Sequence, residues 1–519
     1  MTNTMTTMPK LTPNHDAEPL GVTRPTLTKI VATLGPASAS ATMVERLIAA
    51  GVAVFRFNFS HGTLDEHREA LDIVRRASRE AGRPVAVLGD LQGPKIRVGT
   101  MVDGGVEIEP GTRVIIQREP IVGEPPTAGR PLRISSTYDG LLNDVEVGQR
   151  VLLADGALRM LVVDKTADEL HCTVTNGGLL TSKKGINLPE SELSVDPITE
   201  RDWACVDWAV EHQIDCLALS FVRRAADVSR LADGIRERMR THGRGEQRMP
   251  IIAKIELPTA VRDIESILDV SQAIMVARGD LGVEMDFAVL PVVQKELIAA
   301  ARDHGKPVIV ATQMLESMID NPAPTRAEAT DVANAILDDA DAVMLSGETA
   351  VGAHPGLVVE QMRRIAAYTE EHQARAGLVA APPKRLLDRC DRAAATAHGV
   401  ATIVSDVQAR FVFVWSENGR MARMLSQNHF RIPVIAATAD SRAARQMQFL
   451  RGVTPVRMSR PSSLAEFTRL VDAYLIHSGW AEPGETCVLV AAWPLSDEDR
   501  NHHIALHDVG DPEGGFATL

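Results

Sequence analysis

The chain has 519 residues, 45% hydrophobic and 24% charged, the balance of a globular protein with material for two to four domains. Its formal net charge of −13 argues against nonspecific nucleic-acid binding, though a local basic pocket could still hold phosphates. The five cysteines (172, 205, 216, 390 and 487) are scattered with no C-x-x-C pair, so neither a zinc site nor a disulfide framework is indicated, and no apolar run reaches the ~18 residues of a membrane span.

Residues 1–25 are polar, lack the apolar core of a signal peptide and read as a loose arm. With the cysteine pattern this predicts a cytoplasmic protein. From Thr28 to His372 one unit recurs: a short apolar strand, polar or glycine residues at its end, then an amphipathic helix. The strand candidates are 28–35, 52–60, 84–91, 216–222, 250–256, 273–280, 307–314 and 341–348. They are rich in Val, Ile, Ala and Leu with little alternation, as expected of parallel strands buried on both faces. Helix starts are predicted from T-x-x-[DE] capping boxes at Thr42/Glu45, Thr63/Glu66, Thr199/Asp202 and Thr325/Glu328.

Eight strand–helix units predict an α/β fold, a (β/α)₈ TIM barrel, with an open doubly wound sheet as the rival. Strands three and four stand too far apart in sequence for that rhythm. Between them, TRVIIQRE, QRVLLADGALRMLVVD and LHCTVTN alternate or are β-branched, with glycine-rich turns. This predicts a small β-barrel or sandwich, residues 94–189, inserted after strand three where it can act as a lid. The barrel then comprises 26–93 and 190–377. LVAAPPKR (378–385) reads as a linker, and 386–519 as a third, α/β domain.

In such a barrel the C-terminal strand ends converge on one site. They carry Arg56, Asn58, Ser60 and His61; Asp90, with Lys95 and Arg97 following; Lys254 and Glu256; Arg278, Gly279 and Asp280; Thr312 and Gln313; Ser346 and Glu348. Glu256 and Asp280 are oxygen donors on adjacent strands, the pair a hard divalent cation takes. Arg56, Lys95, Arg97 and Lys254 supply positive charge for an anion. Carboxylates and bases without a nucleophilic Cys or Ser–His pair point to phosphoryl transfer or enolate chemistry. Any one of these residues could be a cap or an ion-pair partner; the joint pattern carries the inference.

RFNFSHG (56–62), DLQGPKIRVG (90–99), KKGINLP (183–189), IIAKIE (251–256), MVARGDLGVE (275–284), ATQMLESMI (311–319) and MLSGETAVG (344–352) resemble pyruvate kinase motifs in order and spacing. The resemblance spans 28–519 and weakens toward the C-terminus. It implies transfer of the phosphoryl group of phosphoenolpyruvate to ADP, giving pyruvate and ATP. It also implies Mg²⁺, or Mn²⁺ in its place, on Glu256 and Asp280. The substrate carboxylate would sit near Gly279, Asp280 and Thr312, with Lys254 at the phosphoryl group and Arg56 and Arg97 on the phosphate. Asn58, His61, Arg97 and Lys184 would line the nucleotide side, and Thr312 and Ser346 would be candidates for relaying a proton to the enolate.

One stretch departs from the family. K⁺-requiring members commonly read D-T-K-G-P-E-I-R-T where this chain has Asp90-Leu91-Gln92-Gly93-Pro94-Lys95-Ile96-Arg97-Val98. Asn58, Ser60 and Asp90, which would otherwise hold K⁺, remain. The Lys95 ammonium then stands in for the ion, and K⁺ is not required. In the C-terminal domain, Ser416, Asn418, Gly419 and Arg420 form a loop opening a helix, the place of the family's sugar-phosphate or nucleotide effector, although Glu417 would repel a phosphate. His502 and His503 read as structural. The family expectation is a homotetramer with no nucleic-acid or membrane partner. Two rivals remain: a Mg²⁺-dependent aldolase or lyase, which has no need of the lid, Arg97 or Lys184, and a silent effector sensor, against which the intact Lys254, Glu256 and Asp280 argue.

Overall fold

The structure, a computed structural model, describes residues 26–127, 130–245, 247–376, 382–495 and 501–516. The expected N-terminal arm and residues 378–381 of the expected linker lie outside the described residues. Eight parallel strands close a barrel: β1 (Lys29–Thr33), β2 (Val52–Asn58), β3 (Ala86–Leu91), β4 (Cys216–Leu219), β5 (Ile251–Ile255), β6 (Ala273–Ala277), β7 (Val308–Ala311) and β8 (Ala342–Leu345). They pair in sequence order, and β1 meets β8 with Lys29 opposite Ala342. Alternate residues divide two apolar cores. Val31, Val54, Leu88, Ile252, Met275 and Met344 fill the interior, while Ile30, Phe55, Val87, Leu217, Ile274 and Val343 pack outward against the helices. Burial on both faces is why these strands lack alternation in sequence.

Two local readings need correction. Arg278-Gly279-Asp280 does not extend β6; it forms the first turn of the helix Arg278–Glu284, where an acidic residue suits the positive helix end. Thr42 is not a cap either. Ser40 takes that place, accepting from the Met43 N–H, and Thr42 lies within Ala41–Ala50. The other three capping boxes form as expected.

The inserted segment builds its own core. In its six-stranded sheet the edges are Ile186–Asn187 and Leu132–Ser135. Arg97 bridges to Gly185 beside one edge, and Val98 bridges to Ser136 beside the other. Val98 N–H donates to Lys184 O (2.8 Å) and Gly99 N–H to Ser135 O (2.8 Å). The entering chain thus spans both edges and closes the sheet into a small barrel.

The C-terminal domain holds β9 (Val412–Trp415), β10 (Val434–Thr438), β11 (Val453–Arg457), β12 (Thr486–Trp493) and β13 (Asn501–Asp508), in the order β11-β10-β9-β12-β13 with β13 antiparallel. It docks on the N-terminal end of the barrel. Phe449 joins the barrel's interior cluster, Arg445 Nε donates to Asp215 Oδ1 (2.7 Å) and Gln427 Nε2 to Asp341 Oδ1 (3.0 Å).

Asp202 fixes the exit toward the lid. One carboxylate oxygen takes the Gln92 and Gly93 N–H groups (3.0 and 3.2 Å), and the other takes the Thr199 N–H and hydroxyl (2.9 and 2.6 Å). Asp202→Ala removes a buried charged acceptor for four donors, so we expect a loss of roughly 2–4 kcal/mol in folding stability. Urea denaturation followed by tryptophan fluorescence reads it, with Trp203 and Trp208 on this very helix. An unchanged midpoint removes the pinning role.

Candidate active site

The C-terminal ends of β2, β3, β4 and β5 meet in one buried charge cluster. Arg56 Nε and Nη2 each lie 2.7 Å from Asp90 Oδ2, and Nη1 donates to Thr33 Oγ1 (3.1 Å). Lys254 Nζ stands 2.7 Å from Glu256 Oε1 and 3.4 Å from Asp90 Oδ1, and donates to Ser220 Oγ (2.7 Å). Ser220 in turn donates to Leu91 O (2.7 Å). Glu256 Oε2 accepts the Phe221 N–H (2.7 Å). Asp90, Lys254 and Glu256 are 1%, 8% and 1% exposed.

The protonation states follow from competing terms. Burial alone would discharge Lys254, but Asp90 and Glu256 outweigh it and hold the ammonium above its ordinary range. Burial would likewise protonate Asp90, yet Lys254 and Arg56 keep it ionised below the usual carboxylate value. Glu256 is raised, chiefly by burial, with Lys254 opposing and the negative charge of Asp280 adding to the rise. Asp280 itself is exposed at the mouth. Glu256 and Asp280 therefore share one electrostatic neighbourhood, and their all-oxygen donor set fits a hard divalent cation.

Beside them the backbone is held under strain. Thr312 and Gln313 have φ of 66° and 53°, and Phe221 has 54°, all left-handed for non-glycine residues. Arg278 is 6% exposed and donates to the Thr312 and Gln313 carbonyls (2.9 and 3.2 Å) while pairing with Asp331. It is a brace rather than a ligand-facing charge. Gly279 N–H donates to Thr312 Oγ1 (2.7 Å), whose hydroxyl donates to Ala311 O (2.6 Å). A Cβ at Gly279 would meet Thr312 Oγ1 at 3.2 Å, and one at Gly282 would meet Phe287 at 3.1 Å. These glycines thus make room for neighbouring side chains. Ser346 N–H donates to Glu348 Oε2 (2.6 Å), and the Ser346 hydroxyl is buried with no hydrogen-bond partner among the described residues.

Asn58 Oδ1 accepts the Ser60 N–H (3.1 Å), and His61 is exposed at the rim. Arg97 Nη1 donates to Lys183 O (3.0 Å), beside the exposed Lys184, so both predicted nucleotide-side cations sit on the inserted segment. Lys95 is also exposed; the described ion pairs of Asp90 are with Arg56 and Lys254. In the C-terminal loop Gly419 has φ 81°, Asn418 Oδ1 accepts the Arg420 N–H (2.9 Å), and Ser416 Oγ accepts the Ala422 N–H (3.2 Å). Arg420 pairs with Asp391 (2.9 Å) and Glu417 with Arg460. Glu417's charge is thereby balanced.

Comparison with known proteins decides the family. The pyruvate kinase barrel-domain model matches residues 26–359 and the pyruvate kinase alpha/beta-domain model matches 394–503. The chain belongs to the pyruvate kinase family. Curated pyruvate kinases of Staphylococcus aureus, strains MRSA252 and USA300, are each 39% identical over 487 residues, covering 93% of this chain and 80% of theirs. A solved pyruvate kinase from Cryptosporidium parvum matches with a TM-score of 0.83 at 32% identity, over 93% of this chain and 96% of that one. The chain is a phosphotransferase that moves the phosphoryl group of phosphoenolpyruvate to ADP.

Sequence reasoning passed over several parts of this pyruvate kinase site. Ser220 directly follows β4, so the strand-end rule could have found it. Thr33 ends β1 in the same way. Glu284 had only its place in MVARGDLGVE as a signal. It is 6% exposed, accepts Asn187 Nδ2 of the inserted segment at 2.7 Å through Oε1, and buries Oε2 without a partner among the described residues. Burial raises it to about 7; the Asn187 bond opposes this, and Asp280 adds to it.

The unfolded chain ionises Glu284 first, so its contribution to stability falls as pH rises from about 4.5 to about 7. Glu284→Gln cannot ionise and keeps an oxygen for Asn187. In metal-free buffer we expect it to exceed wild type above about pH 7 by up to roughly 3 kcal/mol. The gap should close toward pH ~4.5. Denaturant titrations across that range measure it, and a difference that ignores pH would remove the assignment.

Proposed function

We propose that the cluster around Lys254 is where the phosphoryl group passes from phosphoenolpyruvate to ADP. The observation that carries this reading is an ammonium kept charged in a buried site by Asp90 and Glu256, at the strand ends of the barrel. A phosphoryl transition state needs positioning and charge neutralisation more than covalent help. Lys254 meets the transferring group and then favours charge on the enolate oxygen. Arg56, oriented by Asp90 and Thr33, grips the phosphate. The Gly279–Thr312 pair and the start of the helix at Asp280 seat the carboxylate.

Glu256 and Asp280 would hold a divalent cation, Mg²⁺ or Mn²⁺. When bound, that cation offsets the negative charge of substrate and enolate. Of the two hydroxyls considered for the proton to the enolate, Thr312 is committed to Ala311 O, whereas Ser346 has no acceptor among the described residues. We therefore assign that proton to Ser346. Asn58, His61, Arg97 and Lys184 line the nucleotide side, two of them from the lid. Lid closure would exclude water, which competes for the phosphoryl group.

We place the enzyme in the cytoplasm, in keeping with its five free cysteines. Among the described residues no helix is long and apolar enough to cross a membrane. We assign sugar-phosphate or nucleotide control to the loop Ser416–Arg420 and a homotetramer to the assembly, both on the family's pattern.

A coupled assay with phosphoenolpyruvate, ADP and a divalent cation tests the centre. Lys254→Met should fold yet lose at least ~10²-fold in phosphoryl transfer. A variant within about threefold of wild type would refute the role.

The monovalent site has its own test. Asp90 is already paired with Arg56 and Lys254, and to Lys95 we assign the charge that K⁺ supplies in other family members. Replacing K⁺ by tetramethylammonium should leave wild-type activity intact, and Lys95→Met should make the enzyme K⁺-dependent. Collapse of the wild type in tetramethylammonium overturns this.

A further inference from the structure

The barrel helix Leu290–Asp303 ends in the turn His304-Gly305-Lys306. That turn, the connector helix Lys384–Asp388 with Arg389 capping it, and the C-terminal-domain helix Arg420–Ser426 enclose a cavity of about 130 Å³. Its charges do not balance. Arg385 is taken up by Glu265 and lies against His304 Nε2, which also stands 3.6 Å from Glu265 and 3.8 Å from Asp269, while His304 Nδ1 contacts Ala300 O (2.8 Å). Arg389 lies 3.4 Å from Asp269, the cavity's own carboxylate.

Two cations remain. Lys306 Nζ donates only to Ser271 O (2.6 Å) and has no ion pair among the described residues. Arg423 has none either; the carboxylate nearest in influence, Asp391, is held by Arg420 at 2.9 Å. Burial, and then the charge of Arg423, push Lys306 down to about 8, with Asp269 opposing. A site whose own cations repel one another in partial burial is a site short of an anion.

We propose that this cavity binds a small phosphate dianion, free or as the head of a small monoester, between Lys306 of the barrel and Arg423 of the C-terminal domain. Two uncompensated positive charges match a dianion, and a guanidinium suits tetrahedral phosphate oxygens. A cavity of about 130 Å³ has room for a phosphate group. The site is separate from the charge cluster at Lys254 and from the loop Ser416–Arg420. Its two cations belong to different domains, so an occupant ties the C-terminal domain to the barrel.

Isothermal titration of the full-length enzyme tests this, with inorganic phosphate or glycerol phosphate against chloride at matched ionic strength. Saturating phosphoenolpyruvate and Mg²⁺ without ADP keep the active site occupied. We expect one saturable site per chain. Lys306→Met and Arg423→Met should each weaken it by at least ~tenfold while basal turnover stays unchanged. Asp269→Asn, which removes the competing carboxylate, should tighten it, a direction that misfolding cannot produce. The tighter of the two probes identifies the ion or the ester as the natural form. Absence of a saturable site in wild type, unchanged affinity in the two cation variants, or loss of binding in Asn418→Ala alone each overturns the proposal.

Discussion

Burying the ammonium of Lys254 constrains everything around it. An isolated buried charge costs several kcal/mol, and its retention requires excellent pairing. The barrel answers with two carboxylates, Asp90 and Glu256, one of which also carries Arg56. Two cations face two anions, so the cluster is neutral as it stands. An anionic substrate entering such a cluster meets Glu256 and Asp280 as well as Lys254 and Arg56. It therefore needs a counter-charge of its own, the role proposed for a divalent cation on Glu256 and Asp280. Removing Lys254 leaves Glu256 without its cation, and removing Asp90 leaves Arg56 without its carboxylate, so the charges of this centre also bear on its stability.

The backbone around the cluster pays for this arrangement. Non-glycine residues in the left-handed region cost of order 1–3 kcal/mol each, and Phe221, Thr312 and Gln313 all occupy it. Each is held by a buried charge. Glu256 takes the Phe221 N–H, and Arg278 takes the carbonyls of Thr312 and Gln313. Arg278 thus gives a structural reason for the charged triplet that follows β6. Its guanidinium turns inward to brace the loop, and Asp280, two residues on, is left facing the mouth.

The barrel was legible because its signals are local: continuous apolar strands, capping boxes and glycine-rich turns each act within a few residues. The motif residues at strand ends were legible for the same reason, since closure of the barrel converts a position in a repeating unit into a position in space. What escaped were pairings between distant segments. Glu284 meets Asn187 across 97 residues of chain, and neither side chain announces the other. Phe449 reads as an ordinary apolar residue of the third domain, yet it fills the barrel's interior cluster. The strand-to-helix switch at Arg278 was missed because the apolar pattern ends there under either reading. Only the placement of an acid at a helix N-terminus separates the two.

The barrel presents its chemistry at one end and its docked domain at the other, and single strands join them. Asp215 is fully buried, takes Arg75 (2.9 Å), Arg445 (2.7 Å) and the Val87 N–H (2.8 Å), and immediately precedes β4. The residue just past β4 is Ser220, which accepts Lys254. Asp341 likewise takes Gln427 of the C-terminal domain and the Val308 N–H (2.9 Å), and β8 runs from it to Ser346. A strand of four residues spans only about 13 Å and has side chains packed on both faces. So short an element in a close-packed barrel has little room to absorb a displacement by bending. The groups that seat the C-terminal domain and the strand-end groups of the proposed reaction centre are opposite ends of the same rigid pieces, which makes the docking of one part of the geometry of the other.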